Sequence, residues 1–339
     1  MSRGIDFEEW FLPKKDSRKI TCGIELEFPL FDIERKRLLN DYGTIERVCR
    51  NLPDRIWRDY YAYQLEIRTN PHNNPRSIVE ETKDLYTLAN KEFCKSNIYI
   101  VPAPGITNDG NISDHMYCGM HSHIGYPNAK DKTKFYNRAM GMYPFLLSLA
   151  GHTKNFETSR FNGSDRLKKS NHIGLPYLTK TDFLNGNGGN NKYKDIILSN
   201  SISKRDREEI GRTRMVKPDT IEFRMLDTPS LFSHFEFQVY YITHLATRIR
   251  DDNPMVKMLN SNYVGSKGHL QMTRDLLIND RYGFNKIFRM ANVAVCEDLS
   301  NYFGISFPRQ TQFEFREEKG YSADINGYIS MIAEGNWLG

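Results

Sequence analysis

Gly119-Met-His121-Ser-His123-Ile-Gly125 carries two histidines one residue apart. In an extended strand both point to one face, with Met120, Ser122 and Ile124 on the other. The same device recurs three times. Gly23-Ile-Glu25-Leu-Glu27-Phe28 sets two carboxylates against Ile24, Leu26 and Phe28, and Gln64-Leu-Glu66-Ile-Arg68 sets Glu66 and Arg68 against Leu65 and Ile67. Thr220-Ile-Glu222-Phe-Arg224-Met225 repeats it with Glu222 and Arg224. Strands that are apolar on one face must bury that face against another layer. An outer face that merely meets water would more often carry Thr, Ser and Lys. If the four polar faces converge, they build a basket of carboxylates, imidazoles and guanidiniums. The alternative is four unrelated amphipathic strands with solvated charges.

The chain has 339 residues, enough for one large or two ordinary domains. At 39% hydrophobic and 26% charged residues it reads as a globular protein, and no apolar run approaches the roughly 20 residues of a membrane span. Five cysteines (Cys22, Cys49, Cys94, Cys118 and Cys296) without paired spacing favour reduced thiols over a disulfide framework. The first residues carry acids and no apolar stretch, so no secretory leader is expected and a cytoplasmic location is. The net charge of +5 is mild; it suits an anionic substrate such as a nucleotide without implying nucleic-acid binding.

Along the chain, residues 1–18 read as an N-terminal extension and 19–250 as the main domain. Residues 251–339 read as a helical C-terminal region with a polar tail, packed on the same domain. Strands are expected over 20–32 and 55–69, with a short helix near Ile45–Cys49. Ser77 and Glu80 suggest a capping box opening a helix that runs to about Lys95 through Ile78, Thr82, Leu85, Ala89 and Phe93. Ile98–Val101 is a short strand, a helix is expected over 132–150, and another over 230–250. Residues 151–200 are irregular, with Asn185–Asn191 rich in Asn and Gly, which suits a loop that covers a substrate.

Oxygen ligands with an imidazole suit Mg²⁺ or Mn²⁺. Zinc is the rival, although structural zinc would more usually recruit cysteines and only Cys118 lies nearby. No nucleophile triad is visible, and Gly186, Gly188 and Gly189 have neither the lysine nor the preceding strand of a P-loop. Divalent cations beside arginines are the equipment of phosphoryl transfer. Arg160, Arg166, Arg212, Arg214 and Arg224, with Lys217, are the candidate partners; a surface role is the alternative for each except Arg224, which shares a strand face with Glu222.

The order of these motifs resembles the glutamine-synthetase-like carboxylate–amine ligases, nearest to the glutamate–cysteine ligase type 2 and amidoligase branch. The motifs span residues 23–227. The resemblance implies an α+β fold, with a curved antiparallel catalytic sheet backed by helices and ATP and Mg²⁺ (or Mn²⁺) bound inside. It implies that Glu27 and Glu66 hold one cation, and that Glu25, His121 and Glu222 hold another nearer the ATP phosphates. His123 would contact a phosphate, Arg224 the transferred γ-phosphate, Arg212 or Arg214 a phosphate, and Arg166 (or Arg160) the substrate. The middle of the chain departs from the family, since its longer signature after the His-x-His strand is not evident.

The implied activity joins a small carboxylate to an amine through an acyl phosphate. The alternatives are a guanidino or small-molecule phosphotransferase, or a silent nucleotide-binding homologue. The acid and the amine are not specified, a modified nucleobase is not excluded, and a homo-oligomer is left open.

Overall fold

The computed structural model describes residues 20–59, 61–103, 118–125, 213–214 and 220–248. Near the C-terminus it also describes 300–301, 303–304, 315, 318–322, 325–334 and 337. The extension 1–18, the helix expected over 132–150 and the irregular stretch 151–200 lie outside these residues. So do Arg160, Arg166, Arg212, Lys217 and nearly all of 254–302.

The longest strand, β1 (Thr21–Asp32), lies at the centre. Its apolar residues Ile24, Leu26, Phe28 and Leu30 are at most 1% exposed, so the face expected to be buried is buried. Each such side chain contributes about 1.5–3 kcal/mol on leaving water. Around it stand β2 (Arg37–Leu38), β3 (Ile56–Arg58), β4 (Gln64–Arg68), β5 (Ile98–Ile100), β6 (Gly119–Gly125), β7 (Thr213–Arg214) and β8 (Thr220–Asp227). The main path is β3-β4-β1-β6-β8-β7, with every pair antiparallel. Residues 21–29 of β1 pair with β4 and β6, whereas its last residues, Leu30 to Asp32, pair with β2 and β5. One strand thus passes from one set of neighbours to another, and the sheet is curled. This α+β architecture is the one the motifs imply.

Helices α1 (Tyr42–Cys49), α2 (Pro75–Cys94), α3 (Phe232–Arg248) and α4 (Ile325–Glu334) are also described. On α2, the buried Ile78, Val79, Thr82, Leu85, Tyr86, Ala89 and Phe93 recur at helical spacing. The helix opens earlier than the capping box suggests. Asn74 is the N-cap, its side chain accepting from Ser77 N–H at 2.8 Å, and Pro75 takes the first turn. Glu80 is turned outward to Arg76, with 2.8 Å between Nε and Oε1. Glu81 ties the helix to the segment after β4. It accepts from Asn70 N–H and Nδ2, both at 2.9 Å, lies 2.6 Å from His72 Nε2 and pairs with Arg55.

The single strand expected over 55–69 is instead a hairpin. Asp59 N–H donates to Gln64 C=O and Gln64 N–H to Tyr61 C=O, both at 3.0 Å, which reverses the chain between β3 and β4. The turn contains no glycine or proline, and its tyrosines have strand propensity, which conceals it in the sequence.

Trp337, fully buried, packs its ring against Phe28 of β1, Tyr86 of α2, and Phe232 and Phe235 of α3, at centroid separations of 5.0 to 5.8 Å. Trp337→Ala should therefore lower the unfolding free energy by about 3–5 kcal/mol. Trp337→Phe should cost less, because it keeps most of the ring. Urea denaturation measures both, and an unchanged midpoint for the alanine variant would remove this ring from the core.

Candidate active site

Because side chains directly opposite one another in an antiparallel pair share a face, register decides whether the polar faces meet. They do around β1. Glu25 stands opposite Arg68 on one side and His121 on the other; Glu27 stands opposite Glu66, and Gly23 opposite His123. Three of the four expected polar faces are thereby one surface.

His121 is 1% exposed and lies between two carboxylates, with Nδ1 3.5 Å from Glu25 Oε2 and Nε2 3.4 Å from Glu27 Oε1. His123 Nε2 is 3.3 Å from Glu25 Oε1, so Glu25 bridges both imidazoles. Glu27, 4% exposed, accepts a hydrogen bond from Gly119 N–H at 2.8 Å. Glu66, half-buried, has Arg68 Nε 3.4 Å from its Oε1, and Arg68 also donates to Asp54 C=O at 2.9 Å.

The carboxylates do not behave alike. Burial, and then the charges of Glu25, Asp59 and Glu27, push the Glu66 carboxyl up to about 8, against the opposing pull of Arg68. Burial also pushes Glu25 upward, but the hydrogen bonds and charge of His121 and His123 outweigh it and leave Glu25 well below the usual carboxylate range. Mutual repulsion on its own would have raised both. The histidines reverse it at one of them.

Asp59 is the residue that sequence reasoning missed. Glu27, Asp59 and Glu66 each offer a carboxylate oxygen, and these atoms lie within 4.8 Å of one another. The hairpin makes this possible by folding the end of β3 back against β4. Recognising a turn inside 59–63 was the signal that would have found Asp59. Three clustered carboxylates, one of them holding its proton near neutrality, fit a hard divalent cation better than they fit one another. A thiolate zinc site is not favoured: Cys118 Sγ lies against Gln64 Nε2 at 3.6 Å, and the three clustered groups are all carboxylates.

The remaining expected residues are placed by backbone alone. Glu222 of β8 stands opposite His123, and Arg214 of β7 opposite Glu222. Between Met120↔Leu226 and Ser122↔Phe223 the register shifts, so Arg224 and Met225 together oppose His121. A β-bulge at this point interrupts the simple alternation of Glu222 and Arg224 that the sequence suggests. Arg166 and Arg212 lie outside the described residues.

The sequence matches no family model and no curated protein. Solved structures do match. A bifunctional glutathione synthetase from Pasteurella multocida superposes with a TM-score of 0.53 at 11% identity, over 95% of this chain and 51% of that one. The likeness is one of fold. A glutamate–cysteine ligase from Francisella tularensis, solved in complex with AMP, gives a TM-score of 0.49 at 10% identity over 94% of this chain and 93% of that one. The chain spans about half the length of the glutathione synthetase chain, and the curled antiparallel sheet with helices that the resemblance implies is the fold found. Among the described residues, no helix is long and apolar enough to cross a membrane.

The pKa of Glu66 sets a pH dependence. Its folded value, about 8, lies above that of an unfolded glutamate, so ionisation destabilises the folded state. That penalty is fully present above pH 8 and fades as pH falls toward the unfolded value. In EDTA, Glu66→Gln should therefore raise the melting temperature at pH 8.5 and gain little at pH 5. Adding Mg²⁺ should stabilise wild type more than the variant. Scanning fluorimetry at the two pH values decides, and a gain independent of pH would mean that Glu66 does not share a site with the other acids.

Proposed function

We propose that this chain is an ATP-dependent carboxylate–amine ligase that forms an amide through an acyl phosphate. The observation that carries the proposal is the convergence of Glu27, Asp59 and Glu66 beside the Glu25–His121–His123 group. It occurs on a fold like that of a known glutathione synthetase.

In this reading Glu27, Asp59 and Glu66 hold one Mg²⁺ or Mn²⁺, and Glu25, His121 and Glu222 hold another. Bound there, such cations neutralise charge on the phosphate oxygens during transfer. The chain's own part is positioning. Glu27, 3.4 Å from Nε2 of the buried His121 imidazole, would take that N–H and orient the ring, leaving Nδ1, on the Glu25 side, to bind the cation. His123 and Arg224 contact phosphate, as does Arg212 or Arg214, and Arg166 engages the substrate. A substrate carboxylate oxygen attacks the γ-phosphorus of ATP and ADP leaves. An amine then attacks the acyl carbon, the C–O bond to phosphate breaks, and inorganic phosphate is released with the amide. Small-molecule acids and amines are the substrate class, and a cytoplasmic setting with reduced thiols suits the free cysteines.

Hydroxylamine tests the intermediate. With MgATP and a panel of small amino and dicarboxylic acids, the correct acid should give a hydroxamate together with ADP. Arg224→Ala should slow this by about 10²–10³-fold, the usual loss when one charge-stabilising donor is removed. Phosphate recovered on a guanidine or hydroxyl, with no hydroxamate, would replace the ligase reading with a phosphotransferase. A chain that binds nucleotide and never releases ADP would be a silent homologue.

A further inference from the structure

Thr228 follows the last residue of β8, where the chain leaves the sheet for α3, and it is fully buried. Nothing in its sequence context marks it. Its Oγ1 donates to the main-chain carbonyl of Glu27 at 2.7 Å, across 201 positions of sequence. Its N–H donates to the carbonyl of Cys118 at 3.1 Å. The amide that follows Cys118, the N–H of Gly119, donates to Glu27 Oε2 at 2.8 Å. One residue therefore holds Glu27 at two points. It holds the backbone directly, and it holds the carboxylate through the Cys118–Gly119 peptide.

The ladder explains why a side chain is needed here. Pairing between β1 and β6 ends at Leu26↔Met120, so Glu27 is the first residue of β1 beyond that register. A buried carbonyl released from a ladder needs another donor, and a threonine hydroxyl brought in from the far side of β6 supplies it. β8 is registered on β6 as far as Gly119↔Asp227, which delivers Thr228 to this spot.

We propose that Thr228 is a positioning residue that sets the orientation of the Glu27 carboxylate for a divalent cation shared with Asp59 and Glu66. The proposal rests on the reading of those three carboxylates as a cation site. A purely structural strut would support folding and leave cation affinity alone. A positioning residue would not.

The test is calorimetric titration of the full chain with Mn²⁺ alone, beside thermal melts in EDTA. Thr228→Val keeps the shape and the backbone N–H but removes the hydroxyl. Its Mn²⁺ affinity should fall by about 10–100-fold, the usual loss when a partner of a metal ligand is removed. Thr228→Ser should restore binding close to wild type. Thr228→Cys keeps a weak donor and should fall between them, and it carries the test if the valine variant does not fold. Wild-type Mn²⁺ affinity in Thr228→Val, even with a lower melting temperature, would overturn the proposal. If affinity is lost in Glu27→Gln yet unchanged in Thr228→Val, the cation site stands and only the role of Thr228 falls. If wild type binds no Mn²⁺, or Glu27→Gln binds it as wild type does, both fall together.

Discussion

Register along β1 is the constraint on which the rest depends. Over Glu25 and Leu26 this strand is paired on both edges, to β4 and to β6, so each acid or imidazole is placed relative to its backbone. Side chains alternate with a period of two, so a slip of one residue would turn Glu25 and Glu27 into the core and bring Ile24 and Leu26 out. Charged carboxylates in that core would be far more costly than exposed isoleucine and leucine. The hydrophobic face therefore enforces the geometry of the polar one. Phe28, its ring packed against Tyr86 and Trp337, anchors the same strand from behind.

That enforcement concentrates negative charge. Glu25 and Glu66 sit on neighbouring strands, yet their carboxyls are driven in opposite directions, Glu25 downward by two histidines and Glu66 upward by burial and three acids. Arg68 and its contact to Asp54 oppose part of this repulsion without cancelling it. A site that strains the folded state until a cation neutralises it is a common bargain between stability and function. Here the strain is focused on Glu66, beside Glu27 and Asp59.

Much of this was legible in the sequence because strand alternation is local. Apolar residues at every second position of Gly23–Phe28, Gln64–Arg68, Gly119–Gly125 and Thr220–Met225 marked four polar faces able to converge, of which register joins the first three into one surface, and the order of the motifs was enough to expect a curved antiparallel sheet. Features that depend on where the chain reverses or slips were not legible. Asp59 was hidden because its turn has aromatic residues where glycine or proline would announce one. The bulge that sets Arg224 and Met225 against His121 is a pairing event between strands about a hundred residues apart, and no pattern within β8 records it. The start of α2 at Asn74 and Pro75 was masked by the S-x-x-E pattern of Ser77 and Glu80, which offers an equally good cap when tertiary pairing is ignored. Thr228 is the same lesson at its longest range, a side chain whose partner is 201 positions away.

The central claim is that this register creates a divalent-cation site from Glu27, Asp59 and Glu66. Anomalous diffraction from crystals grown with Mn²⁺ tests it most directly. The expected result is a manganese peak contacted by an oxygen of each of the three carboxylates, lost in Glu66→Gln crystals. A peak elsewhere on the sheet with these three carboxylates unligated, or no peak at saturating Mn²⁺, would contradict it.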